Sequence, residues 1–271
     1  MMTSSKLDQK SDILKQIFTH LKTHFSAATQ KVLEQFISRL YRDVTIADLT
    51  QMSPEDLTGL TVSLWRECQQ WSGDNAKVLV FNPDVEKDEW QSSHTVISVL
   101  CRNIPFVIDT LKLIINEQNI KVHRVFHSEM TTSRTKTGKL SSFNGKEKGE
   151  LLLYLEIDQT SSKVERDQLT AKIQLAMQDV VLVVDDFSRL TQTLKDAVQV
   201  SCTDKYNKQI PDLKEQQTFL SWLLNDHFTF IACDQFVIEK GQLISSQESR
   251  LGLLKRVGFM AELSNSKPLM C

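Results

Sequence analysis

One stretch of this chain, residues 94–130, constrains its fold more than any other, and it contains no glycine. Residues 95–100 are mostly β-branched or apolar, which is typical of a buried strand. After a short polar break, apolar residues at helical spacing predict a helix over 105–118, with a proline in its first turn. Alternation over 120–130 predicts a second strand. The helix is expected to bury Phe106, Leu113 and Ile114.

Two more strands and a second helix are predicted around this stretch. Residues 77–82 form an apolar run that ends at an Asn-Pro pair, and residues 150–158 form another. A helix is predicted from residue 162 onward, because apolar residues keep a helical period through Val180 to Val184. Four strands and two packing helices make a ferredoxin-like open-faced sandwich. In this sandwich, the strand at 77–82 must occupy the sheet position that the last strand of an ordinary β-α-β-β-α-β unit occupies.

The whole chain is predicted to be of the α+β class and to have three parts. Residues 1–73 carry apolar positions at spacings of three and four, which predicts amphipathic helices. Residues 77–200 contain the sandwich, and residues 212–271 hold a helix and a hairpin that begin a second, unfinished α+β unit. The polar segment 131–149 is interpreted as an exposed, solvated hairpin connection.

Composition excludes several classes of protein. Only 8 of the 271 residues are glycine, and none lies in a G-x-G-x-x-G or G-x-x-x-x-G-K pattern, so no cofactor-binding loop is predicted. A net charge of -2 offers no general attraction for nucleic acid. The apolar runs are far too short to cross a membrane, and the N-terminal residues lack a secretory apolar core. The five scattered cysteines suggest reduced thiols and no metal site, so we expect a cytoplasmic chain.

Several short sequence motifs occur along the chain, and their order is specific when they are taken together. They run from about Val32 to Arg256 and include KVLVFNPD, NIPFVIDT, AMQDVVLVVDDF and SRLGLLKR. In this order they resemble the N-terminal region of the large NAD-specific glutamate dehydrogenases. The resemblance implies an ACT-like regulatory domain that associates with the remainder of the dehydrogenase polypeptide and forms a homo-oligomer. It also implies NAD as the cofactor of the parent enzyme, whose catalytic domain is expected later in the polypeptide.

The candidate ligand-binding residues lie where the second strand meets the first helix of the sandwich. Asn103 is a candidate N-cap, and Arg102 offers a bidentate partner for a carboxylate near the positive end of the helix dipole. Asp109 matches the aspartate of the family word Val-Asp-Ser, and the resemblance implies that such a corner contributes to amino-acid binding. The alternative is a purely structural corner, since no glycine lets a ligand approach the backbone closely.

Other polar constellations are interpreted as structural. His20 and His24, and likewise His123 and His127, have spacings that suit a metal but lack an obvious acidic third ligand. Asp186 falls at the acid of the family's Asp-Trp pair, with Phe187 in place of tryptophan, so packing is the favoured role.

Three functions fit these observations. The leading one is a non-catalytic regulatory and assembly region of an NAD-dependent glutamate dehydrogenase. The second is a self-sufficient amino-acid sensor that acts on another polypeptide. The third is a structural module that only mediates oligomerisation through its sheet edges and amphipathic helices.

Overall fold

The structure is a computed structural model, and it divides into two compact units, Met1–Met177 and Gln178–Cys271. The three-part division predicted from the sequence stays a prediction. In the described part of the chain, no helix is both long and apolar enough to cross a bilayer. The residues that the structure describes are 2–22, 25–143, 145, 149–201, 212–239, 242–245 and 247–256.

The first unit begins with four helices, and the short third one was not predicted from the sequence. Each of the last three has a serine or threonine N-cap whose hydroxyl accepts a hydrogen bond from a backbone N–H in the first turn, and the fourth also starts with a proline. The caps are Ser26, Thr45 and Ser53. The helices are α1 (Met2–Lys22), α2 (Ala27–Leu40), α3 (Ile46–Leu49) and α4 (Pro54–Cys68).

The predicted four-stranded sheet is confirmed. It has the order β1-β2-β6-β3 and is antiparallel throughout. The first strand lies at the edge beside β2, where a terminal strand lies in an ordinary ferredoxin-like unit. Two short strands between β3 and β6 pair with each other. The six strands are β1 (Lys77–Phe81), β2 (Thr95–Arg102), β3 (Val122–Met130), β4 (Ser133–Arg134), β5 (Leu140–Ser142) and β6 (Glu150–Ile157).

The two central strands, β2 and β6, are buried on both faces of the sheet. On one face, side chains such as Val96, Leu100 and Tyr154 share a core with α1 to α4. On the other face, Ile97 and Leu153 are equally buried. We infer that two helices cover this second face, because their apolar stripes are also buried. They are α6 (Val107–Glu117) and the first-unit part of α7 (Lys163–Ser201), where Leu169, Ile173 and Met177 are buried. The short helix α5 (Val85–Asp88) precedes both in the chain.

The corner before α6 differs from the prediction. The helix begins at Val107, and its N-cap residue is Phe106, which has a positive φ of 71° and makes no side-chain capping bond. Asn103 therefore does not cap the helix. The buried face consists of Val107, Leu111, Ile114 and Ile115. The burial expected of Ile114 is confirmed, but that of Phe106 and Leu113 is wrong.

The two errors have different physical causes. The sequence of α6 has more apolar residues than one face of a helix can bury. The residues at spacing i, i+4, i+7 and i+8, counted from Val107, form the buried face. Leu113 then faces outward and is 60% exposed. Phe106 lies before the helix, in the turn that Pro105 introduces, and is 41% exposed.

The segment 131–149 is also less solvated than predicted. It does contain a hairpin, β4 with β5, but several of its side chains are buried. Phe143 is fully buried, and its ring centroid lies 5.8 Å from that of Phe36 and 6.5 Å from that of Trp65. The polar composition of the segment gave no sign of this burial, because a single aromatic residue, Phe143, holds the segment on the helical core.

The second unit contains most of the long helix α7, which is continuous through residues 180–184 as predicted. The helix predicted within residues 212–271 appears as α8 (Leu213–Trp222), followed by a π-helical turn (Leu223–His227). Four strands and two short 3-10 turns follow, and the predicted hairpin corresponds to β8 with β9. The turn at 240–241 lies outside the described residues. The strands are β7 (Ala232–Cys233), β8 (Phe236–Glu239), β9 (Gln242–Ser245) and β10 (Leu251–Gly252).

Candidate functional site

A buried ion pair holds the β4–β5 hairpin against the end of α4. Arg134 donates from Nε to Glu150 Oε1 at 2.6 Å and from Nη2 to Glu150 Oε2 at 2.8 Å. Its Nη1 donates to the carbonyls of Cys68 and Gly138 at 3.0 and 2.9 Å. The Thr132 hydroxyl donates to the same carboxylate. Both oxygens of Glu150 therefore already accept from protein donors.

An open cleft of about 660 Å³ lies beside this ion pair, and we call it the Trp71 cleft. Its residues come from the chain that follows α4, from the last position of β2, from the β4–β5 hairpin and from the first position of β6. The described lining contains three cationic side chains and one carboxylate. The side chains that define it are Trp71, Arg102, Thr132, Arg134, Lys136 and Glu150.

One wall of the cleft is fixed by a close contact between two backbone segments. Trp71 N donates to Gly138 O at 3.0 Å, and Trp71 Nε1 donates to Asn75 O at 2.7 Å. Gly138 has a φ of 82°, and a Cβ atom there would lie 2.4 Å from Trp71 O, so only glycine fits. The guanidinium of Arg134 lies 5.6 Å from the centre of the Trp71 ring, at cation–π distance.

The structure separates the three candidate ligand-binding residues. Arg102 is half-buried and lines the Trp71 cleft. Asn103 is exposed, and its backbone N–H donates to Gly149 O at 2.8 Å. Asp109 is exposed in the first turn of α6. Neither Asn103 nor Asp109 lines this cleft.

A second buried carboxyl lies where α4 packs on β2. The Glu67 side chain is buried, and Ser98 Oγ donates to its Oε2 at 2.5 Å. The other oxygen, Oε1, has no hydrogen-bond partner among the described residues. The nearby Lys77 ammonium donates instead to the carbonyl of Glu67, at 2.8 Å. Burial raises the pKa of Glu67 to about 7, against the opposing effects of Ser98 and Lys77.

A polar cluster closes the opposite end of the sheet. Glu156 is buried, and Arg124 Nη1 donates to its Oε2 at 2.7 Å. The rings of His94 and His123 lie 4.2 Å apart, and His123 Nε2 lies 2.7 Å from Asp158 Oδ1. The hydrogen bond with His123 lowers the pKa of the Asp158 carboxyl. These contacts join the ends of β2, β3 and β6.

The described residues contain no group of three or more histidine, cysteine or acidic side chains arranged to hold a metal ion. His24, one of the histidines singled out from the sequence, lies outside the described residues.

Asp186 has a structural environment in the second unit. Its Oδ2 accepts from Gly252 N at 2.8 Å and lies 2.5 Å from Lys255 Nζ. Burial alone would raise the pKa of Asp186, but Lys255 and the Gly252 N–H hold it below its ordinary value. These contacts tie Asp186 to the chain at 252–255 through a hydrogen bond and an ion pair. Phe187 beside it is exposed, and the packing role stays a prediction.

The comparisons with known proteins agree on one family. The family described as "Glutamate dehydrogenase, ACT1 domain" matches residues 36–173. The chain is similar to an NAD-specific glutamate dehydrogenase of Pseudomonas aeruginosa, with 29% identity over 256 residues and 91% of this chain covered. It is also similar to one of Halomonas elongata, with 28% identity over 266 residues and 94% of this chain covered. The chain spans 16% of the length of each relative. With the ACT1 match over half of its residues, this chain belongs to the NAD-specific glutamate dehydrogenase family and corresponds to its N-terminal region.

Proposed function

We propose that this chain is the regulatory and assembly region of an NAD-dependent glutamate dehydrogenase and that it contributes no catalytic group. For the whole enzyme we propose that L-glutamate, water and NAD⁺ give 2-oxoglutarate, ammonium, NADH and a proton. The observation that carries the proposal is the ACT1 match over residues 36–173, because it covers all four strands of the sheet.

The described residues do not fit NAD, which supports a non-catalytic role for this region. Dinucleotides bind at the carboxyl ends of parallel strands, beside a glycine-rich turn that opens a helix. The four-stranded sheet here is antiparallel. The turn that joins β2 to α6 contains no glycine. We therefore assign NAD binding and the catalytic groups to the remainder of the polypeptide.

The edges of the sheet support an assembly role. Strands β1 and β3 are the two edges, and each has an exposed apolar side chain, Leu79 and Val125 respectively. An edge strand offers unpaired N–H and C=O groups to another chain. The partners we propose are the remainder of the dehydrogenase polypeptide and further copies of it.

A second candidate function is supported by the Trp71 cleft. A stand-alone module that senses an amino acid would need a cleft of this kind, with charged groups at its floor. The third candidate, a purely structural oligomerisation module, needs only the sheet edges. We also propose a cytoplasmic location, which the free thiols of Cys68, Cys101 and Cys233 support.

The test compares this chain with the full polypeptide that its gene encodes. We expect the full polypeptide to form NADH from glutamate and NAD, followed by absorbance at 340 nm. We expect the isolated chain to form none and to give no saturable heat with NAD in calorimetry. NADH formation or micromolar NAD binding by the isolated chain would contradict the non-catalytic role. A full polypeptide without glutamate-dependent NADH formation would favour the stand-alone sensor.

A further inference from the structure

We propose that an aromatic surface on the second unit is a docking surface for the part of the same polypeptide that follows residue 271 in the full dehydrogenase. We call it the α8 aromatic surface, and its residues are Phe219, Trp222, His227, Phe228 and Phe230. The proposal rests on the assembly role proposed above and deepens it by naming one contact surface and its partner.

The rings of the α8 aromatic surface form a series that is continuous along the chain. Phe219 and Trp222 lie one turn apart on α8, and their ring centroids are 6.1 Å apart. His227 stacks on Trp222 at 4.5 Å. Phe228 follows His227, and its ring lies 5.5 Å from that of Phe230.

The α8 aromatic surface is open to solvent. Phe219, Trp222 and Phe228 are between 48% and 59% exposed. Single exposed apolar side chains are ordinary on a protein surface, but a contiguous apolar patch marks a site of interaction. Among the described side chains of residues 212–236, Leu213 is the one that is buried. The chain around α8 therefore directs its aromatic side chains to water and not to a core.

The sheets of the second unit are too small to provide that core. In the part of the unit that the structure describes, β7 pairs with β10 and β8 pairs with β9, and each sheet has two strands. A two-stranded sheet is marginally stable at best and needs further strands or a packed partner. A second copy of this chain brings the same two-stranded sheets, whereas further polypeptide brings new elements. The occupant that supplies what the unit lacks is therefore further polypeptide.

The length of the relatives and the charge of the segment identify this polypeptide. The chain spans 16% of each dehydrogenase relative, so the full polypeptide of such an enzyme extends well beyond it. A segment joined covalently to the unit acts at a high effective concentration, which a separate protein lacks. Residues 215–239 contain no lysine or arginine and so offer no cation to nucleic acid or to an anionic membrane. The partner is an apolar face of the polypeptide that follows.

The experiment measures hydrogen exchange by mass spectrometry in the isolated 271-residue chain and in the full polypeptide that its gene encodes. We expect the amides of α8 to exchange at least about tenfold more slowly in the full polypeptide, as expected when a large apolar side chain becomes buried. Strand β6, which is central in the sheet of the first unit, is the reference for any change in overall stability.

Two variants of the full polypeptide locate the contact. Trp222→Ser is expected to speed the exchange of α8 by about tenfold, because it removes the largest ring of the surface. In the isolated chain the same change should alter that rate by less than about twofold, since the ring is already exposed there. The matched control is Leu113→Ser, which replaces an exposed apolar side chain of α6 in the first unit. It should change the exchange of α8 by less than about twofold.

Equal exchange of α8 in the isolated chain and in the full polypeptide would overturn the proposal, and so would equal effects of the two variants. Exchange that slows as the concentration of the isolated chain rises would assign the surface to a second copy instead. NADH formation is measured separately, so the docking surface can fail while the proposed dehydrogenase function stands. A full polypeptide that protects α8 but forms no NADH would refute that function alone.

Discussion

Replacing Glu67 with glutamine is expected to remove a pH dependence from the stability of the first unit. The Glu67 side chain is only 5% exposed, and one of its oxygens has no partner among the described residues. Glutamine is neutral at every pH and close to glutamic acid in shape. The substitution therefore tests whether this buried carboxyl carries a proton in the folded protein.

The magnitude follows from the pKa. Burial raises the pKa of Glu67 from its ordinary value of 4.5 to about 7 in the folded state. Below pH 4.5 the group is protonated in both the folded and the unfolded state, and its full contribution to stability is present. Between the two values the folded state binds more protons, so stability falls as pH rises. The total loss is about 3 kcal/mol, at about 1.4 kcal/mol for each pKa unit.

The assay is urea unfolding of the wild type and of Glu67→Gln at pH 5 and at pH 8. Trp65, Trp71 and Trp90 lie in the first unit, so a Trp222→Phe background makes tryptophan fluorescence report on that unit alone. The wild type should lose about 2.5 kcal/mol more than the variant between the two pH values, because part of the total loss already occurs below pH 5. Glu34→Gln, at an exposed position of α2, controls for the loss of a carboxylate as such.

An equal change in the wild type and Glu67→Gln between pH 5 and pH 8 would refute the reasoning. It would mean that Glu67 is ionised when folded and that the contact with Ser98 or the charge of Lys77 outweighs its burial. A control variant that behaves like Glu67→Gln would assign the pH dependence to overall charge.

Two further substitutions test the corrected burial of aromatic residues by urea unfolding at pH 7. Phe106→Gly should cost less than about 1 kcal/mol, because relief of the positive φ offsets the added chain entropy and the ring is already exposed. A loss above about 2 kcal/mol would show that Phe106 is packed. Phe143→Ala should cost about 3–5 kcal/mol, since its ring is fully buried among aromatic neighbours. A loss below about 1 kcal/mol would mean that the segment after β5 is not held on the helical core.

Much of the sheet was predictable because it depends on local patterns. The apolar runs of β2 and β6 have the length of strands, and their burial on both faces explains why they lack polar alternation. The edge position of β1 followed from the long helix α7, which left no other strand for that place. The burial of Phe106 was mispredicted because the helix starts two residues later than expected, which leaves Phe106 in the turn before it.

The candidate site was less predictable than the fold, since its residues are distant in sequence. Arg102 and Glu150 are paired across β2 and β6, yet their sequence separation gives no local signal of this. Arg134 lies in a polar segment that resembles a solvated loop, and only the fold shows that it binds a buried carboxylate. The glycine at 138, just after Lys136, was the one local sign of a close backbone approach.

Because the sheet is covered on both faces, it cannot be excised without either covering layer and still keep its core buried. Excision of the sandwich at β1 would expose Val96, Leu100 and Tyr154, which now share a core with α1 to α4. Each square ångström of apolar surface returned to water costs about 25 cal/mol. The helical layer is therefore part of the smallest piece of this chain that can fold. Any transfer of the module to another protein, by recombination or by design, has to carry those helices with the strands.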